Sequence, residues 1–191
     1  MRTTVLRFGL AAGAILSAIM LAAVPFRDAI GFDRGEILGY ASMVVAFLLI
    51  FFGVRSYRDN VAGGAVRFGR AFAVGGLIAV VASVCYVATW ELIYFKLAPD
   101  FTEQYQAYLL DRERAEGASE EALARQRVEM ERFAELYDNP AINAAITFLE
   151  PLPVALIVAL FSAATLSRGR KEDSAADRPA SSPGAGRAAE R

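Results

Sequence analysis

Two carboxylates stand where the surrounding sequence makes a carboxylate expensive. Glu91 follows Trp90 at the end of an uncharged run of 20 residues, Ala71 to Trp90. Glu150 is the one charge within Ala141 to Ser167 and precedes Pro151 and Pro153. An acid at the middle of a membrane helix costs about 2.5–3.5 kcal/mol on insertion scales, and the cost falls toward the interface. Three chemistries stay open for the pair. Each glutamate can be hydrated, one at a helix start and one at an interface. Each can be paired structurally, with Lys96 or an outer arginine. Both together can form a cation or proton site, the default for acids held inside a membrane. Hydration is the expectation. Proline favours the first helical position, and a helix restarting at Pro151 runs 17 residues to Ser167, near the short end of a span. Glu150 then lies near the outer interface, level with Glu91, where Trp90 and Tyr94 fit an aromatic belt.

The rest of the chemical inventory is thin. The 191 residues include no histidine and one cysteine. Histidine is the commonest metal ligand and a frequent general base. One cysteine makes neither an internal disulfide nor a thiolate zinc site. These absences disfavour a Ser-His-Asp hydrolase, a zinc enzyme and a disulfide-stapled domain. Cys85 lies inside an apolar run, where a thiol stays protonated and inert. An intramembrane enzyme is the least supported class, since no nucleophile or oxyanion group stands near a carboxylate pair. No cofactor, no metal and no nucleic-acid partner is expected. Arg55, Arg58, Arg67 and Arg70 surround Gly63-Gly64. They can contact anionic headgroups at about 1 kcal/mol each, or they can only set topology; topology is the expectation. The phosphate-loop spacing with its Gly-Lys-Ser/Thr ending is absent.

The elements that must position these residues are apolar runs. Mean hydropathy is +0.36 and 55% of residues are hydrophobic, above the 45–50% usual for soluble domains. Phe8–Phe26 is uncharged for 19 residues, Ile37–Val54 for 18 and Ala71–Trp90 for 20. With Ala141–Ser167, four segments approach the roughly 20 residues that cross a bilayer core. The first is expected to be an uncleaved span, since it exceeds a signal-peptide core of about 7–15 residues. The spans are expected at about 5–26, 37–54, 71–95 and 141–167. Gly9-x-x-x-Gly13 in the first, and Gly75, Gly76 and Ala79 in the third, would let helices approach closely.

Charge sets the orientation. Arg2 and Arg7, the four link arginines, and Arg168, Arg170 and Lys171 share one side of a four-span chain. That side is read as cytoplasmic, with both termini inside. The link between the third and fourth spans, 99–138, holds five arginines against eleven acids, a net of −6, and faces outward. The implied location is a bacterial inner membrane.

That outer link reads as two amphipathic helices. Pro99-Asp100 marks a start, with Asp100 favourable near the positive dipole end. Phe101, Tyr105, Tyr108 and Leu109 then share a face. Gly117 stops the helix, and Ser119 caps the next, with Glu120 and Glu121 in its first turn. Leu123, Met130, Phe133 and Tyr137 make a second stripe, running to Asn139-Pro140. Such stripes usually pack on each other, though a partner or the span ends could also cover them. The helices are acidic, which disfavours docking on an anionic lipid surface. The tail over 169–191 is polar and without apolar period, and is expected to be disordered.

Tyr57-Arg58, Gly64, Phe68-Gly69-Arg70-Ala71-Phe72 and Gly75, with the outer Pro99-Asp100-Phe101 and Asn139-Pro140, resemble the signatures of an uncharacterised bacterial membrane-protein family catalogued as domain of unknown function 4199. The resemblance covers roughly residues 3–168. It implies a four-span inner-membrane protein with an outer helical insert, and no reaction, ligand or catalytic residue. The expectation is therefore an all-α integral membrane protein. Residues 1–168 would form a four-helix transmembrane bundle with an amphipathic helical hairpin, 99–138, between spans three and four. Its expected role is that of a non-enzymatic envelope protein presenting the hairpin to a partner or to a second copy, in contact with membrane lipids. A small ion or solute transporter using Glu91 and Glu150 is the alternative.

Overall fold

The computed structural model describes residues 1–167; the expectation for the tail lies outside the described residues. The chain order is α1 (Arg2–Ala23), a 3₁₀ turn (Val24–Phe26), α2 (Arg27–Asn60), α3 (Phe68–Leu92) extended by a π turn (Ile93–Leu97), α4 (Phe101–Ala115), α5 (Glu120–Tyr137), α6 (Pro140–Leu149) and α7 (Leu152–Leu166). No strand occurs among the described residues.

Three stretches are long and apolar enough to cross a membrane: Arg2–Asn60, Phe68–Leu97 and Pro140–Leu166. The first holds 59 residues. It would be roughly 90 Å long if straight, at 1.5 Å per residue, three times a bilayer core. Instead the chain reverses within it. Pro25 sits in the 3₁₀ turn, and Gly31 breaks the following helix with φ 72° and ψ 167°, a conformation that glycine adopts without a Cβ penalty. α2 then returns beside α1, and Phe8 packs against Gly53.

The helices outrun the apolar segments. α2 begins at Arg27, ten residues before the uncharged run opens at Ile37. Charge marks where apolar surroundings end, whereas a helix continues until a breaker or cap stops it. Asp28 in the first turn suits the positive helix end.

α1, α2, α3 and α7 pack side by side. Gly9 meets Val81, and Gly13 meets Cys85 four residues on, so α1 and α3 run parallel. Gly75 touches Ile50 of α2 and Ala159 of α7, which both run the other way. Leu16, Phe47, Ile50, Ile78, Ala82 and Ala159 are fully buried among the four. The outward faces are equally apolar: Ile157 is 66% exposed and Phe161 65%. A surface this apolar suits a hydrocarbon solvent and not water.

α4 and α5 project from one end of this group and lie antiparallel. The Gln106 amide donates to the Met130 carbonyl at 3.1 Å, and Gln126 donates to Glu113 at 2.6 Å. Gly117 makes the bend between them with φ 92°. Ser119 caps α5 by accepting from the Ala122 amide at 3.3 Å, and Asn139 caps α6 by accepting from the Ala141 amide at 3.0 Å.

Candidate functional site

A polar and aromatic seam joins the α4–α5 pair to the helix ends. Trp90 of α3 donates its indole N–H to the Tyr137 hydroxyl at 2.9 Å. Tyr137 lies 3.1 Å from the Thr147 hydroxyl, and Thr147 in turn donates to Asn143 Oδ1 at 3.2 Å. With its one proton spent on Asn143, Thr147 is the acceptor from Tyr137. Asn143, fully buried, returns its amide to the Tyr137 carbonyl at 3.2 Å. The chain of donors has one direction and leaves neither Asn143 side-chain atom unpaired, which is how an amide is tolerated at this depth.

A second strand of the seam starts at Tyr94, in the π turn. Its hydroxyl donates to Asp138 at 2.8 Å and lies 2.7 Å from Thr102 of α4, which must then donate to it. The third strand is ionic. Arg27, at the start of α2, grips Asp100 at 2.7 Å. Asp100 is the N-terminal flanking residue of α4, but its side chain caps no backbone amide there. It binds Arg27 and the Gln104 side chain instead, at 2.7 Å each. The Arg27 hydrogen bond holds the Asp100 carboxyl below its ordinary range.

Aromatic contacts fill the space between. Phe101 meets Trp90 edge to face at 5.1 Å, and Tyr94 meets Tyr137 at 5.3 Å. Phe32 of α2 sits 5.0–5.8 Å from Phe101, Tyr105 and Tyr108. The Tyr108 hydroxyl donates to Asp33 at 2.5 Å, which pushes its phenol up. Burial likewise raises the Tyr137 phenol.

The two sequence-flagged glutamates take separate places. Glu150 falls at the break between α6 and α7, where its carboxylate accepts from the buried Tyr86 hydroxyl of α3 at 2.9 Å. Glu91 keeps Oε1 buried without a hydrogen-bond partner. No hydrogen bond or ion pair joins them, or joins either one to Lys96 or an arginine, among the described residues. Both remain close to the seam, since Trp90 and Tyr86 flank them.

The basic residues lie at the opposite end. Arg55 and Arg58 share Asp59 at 3.6 and 2.7 Å, while Arg67 and Arg70 are exposed around the start of α3. Of the α5 stripe, Leu123 is buried, Met130 and Tyr137 are half-buried, and Phe133 turns outward. Between α4, α5 and the π turn lies a groove of about 510 Å³, lined by Tyr94, Phe95, Glu103, Glu131, Glu135 and Asp138. No group of three or more acids or cysteines among the described residues is arranged to hold a metal.

The class defined by these observations is an all-helical protein with apolar helices compatible with a membrane. More particularly, the chain belongs to the family described as "Protein of unknown function (DUF4199)", whose model matches residues 7–168. No curated protein matches the chain. No solved structure matches it.

Proposed function

We propose that this chain is a four-span bacterial inner-membrane protein, non-enzymatic, which holds a rigid acidic helical hairpin on the outer side. The hairpin serves as a docking element for another envelope protein or a second copy. α1, α2, α3 and α7, the last continued outward by α6, are the spans. Arg2, Arg7 and Arg55–Arg70 gather at one end, because Phe8 packs beside Gly53, and this end is cytoplasmic under the positive-inside rule. The hairpin, with its net of −6 over 99–138, lies at the other.

The observation that carries this reading is the seam. Three independent fastenings, Trp90–Tyr137–Thr147, Tyr94–Asp138 and Arg27–Asp100, fix the hairpin on the bundle. Pre-organisation of this kind lowers the ordering cost of binding. A photoreactive residue at Val128, 56% exposed on α5, tests the reading in intact cells. A discrete crosslinked product that Glu121→Lys weakens is the expected result. A product of this chain alone supports self-assembly. Absence of any product overturns the docking role.

Two observations favour a second reading, transport. Glu150 binds Tyr86 at a helix break, and Glu91 Oε1 is buried without a partner. Proteoliposome flux that both Glu91→Gln and Glu150→Gln abolish would support it; flux unchanged in both removes it.

A further inference from the structure

The last two turns of α5 carry apolar side chains that the described residues leave uncovered. Phe133 is 54% exposed and Leu136 53%. Their depth is set by their neighbour Tyr137, whose hydroxyl reaches both Trp90 and Thr147. Thr147 is seven residues inside the apolar stretch Pro140–Leu166, roughly 10 Å along the helix. The Phe133 ring stacks on the Tyr137 ring at 5.5 Å, and Leu136 adjoins Tyr137 in the chain. The Tyr137 ring therefore sits at the level of Trp90, at the outer end of the apolar helices, and Phe133 and Leu136 lie within about one turn of it.

Ile142, Ile146 and Leu149 of the following helix, α6, are exposed as well. Glu129, one turn above Phe133 on the same face of α5, marks the upper edge of the exposed pair. Glu131 and Glu135 line the groove against Tyr94 and Phe95, on the side of α5 away from Phe133. Arg132, beside Phe133, makes no ion pair among the described residues, so it is free to meet a phosphate. Apolar side chains of a surface helix that end near the headgroup level bury about 5–10 Å deep, in the headgroup–acyl boundary.

We infer that Phe133 and Leu136 insert into the outer leaflet of the phospholipid bilayer, so that the lower end of α5 is anchored by lipid and not by protein. This rests on the membrane reading above. Val128, five residues above Phe133 and eight above Leu136 on α5, stays in water for a protein partner. The anchor and the seam together hold the hairpin at a fixed tilt over the membrane.

The test uses the full chain with Cys85→Ser in phosphatidylcholine vesicles, with an environment-sensitive fluorophore on Phe133→Cys or Leu136→Cys. Glu120→Cys serves as the aqueous reference and Phe161→Cys as the lipid-facing one. Labels at 133 and 136 are expected to be quenched several-fold more by lipids nitroxide-labelled near the headgroup than the label at 120, and to resist aqueous iodide. Iodide quenching at 133 and 136 equal to that at 120 overturns the inference. Protection from both quenchers that grows with protein-to-lipid ratio also overturns it, assigning the face to a second copy. Failure of the Phe161→Cys label to be quenched by lipid would overturn the membrane reading itself.

Discussion

The middle and the outer end of the long helices are held by different physics. Toward the middle, helices meet through absent side chains: Gly9 on Val81, Gly13 on Cys85, Gly75 on Ala159. At the outer end they meet through long ones, Trp90, Tyr94, Tyr137 and Arg27, each hydrogen-bonded to a named partner, although Arg27 keeps Nη1 buried and unpaired among the described residues. Lipid tails are as apolar as leucine, so helices inside a bilayer gain from close fit and not from hiding apolar area. At the interface water competes for every polar group, and directional bonds with aromatic bodies become the effective fasteners. The bundle should therefore be sensitive to added volume, and the outer seam to lost polar atoms.

The largest expected effect tests the first half of that contrast. A Cβ on Gly13 would lie 2.5 Å from the Cys85 Cβ. Gly13→Ala is expected to lower stability by about 1–3 kcal/mol, the usual cost of overpacking, measured by thermal unfolding in detergent or nanodiscs. Gly53→Ala is a milder control, because it meets the flexible tip of Ile78.

Tyr137→Phe probes the other half. It removes the acceptor for Trp90 and the donor to Thr147. A loss of about 1–3 kcal/mol follows from leaving buried partners unpaired. Hydrogen exchange should rise in α5 and little in α1 or α3. Equal increases everywhere would show that seam and bundle form one cooperative unit.

Acid should loosen the Arg27–Asp100 strand selectively. The Asp100 carboxyl is held below its ordinary range in the folded state. Its contribution is thus present above the ordinary carboxylate value and is lost as pH falls through the lowered folded value. Exchange at the first turn of α4 should quicken across that acidic window, and Asp100→Asn should flatten the response. The smallest effect belongs to Arg125→Ala on the exposed Glu121 pair, with a stability change of about 0.5 kcal/mol or less.

Much of this division is legible in residue order. The uncharged runs locate the apolar helices, and Gly117, Ser119 and Asn139-Pro140 punctuate the outer ones where the structure bends and caps them. Gly9 and Gly13 carry the small-residue spacing that α1 uses against α3. The seam is not legible, because it depends on how helices are rotated about their axes. Trp90 and Tyr137 are 47 residues apart, and Tyr86 and Glu150 are 64 apart. Only aromatic residues near span ends hinted at such partners. Sequence spacing groups Phe133 with Leu123, Met130 and Tyr137, yet it turns outward. At about 100° per residue, it lies about 60° around the helix from Met130, whereas Leu123 and Tyr137 lie within about 20°. Asp100 suited a cap, but Arg27 from a distant helix claims its carboxylate.

The central claim is topological: four crossings, with the hairpin opposite the basic link. Single cysteines at Arg34, Asp59 and Glu120, in a Cys85→Ser background, test it with a membrane-impermeant thiol reagent on intact spheroplasts. Labelling at 34 and 120 from outside, with 59 reactive only after permeabilisation, is the predicted result. Labelling at 59 from outside, with 120 protected, would mean that Arg2–Asn60 crosses once, and would contradict the account.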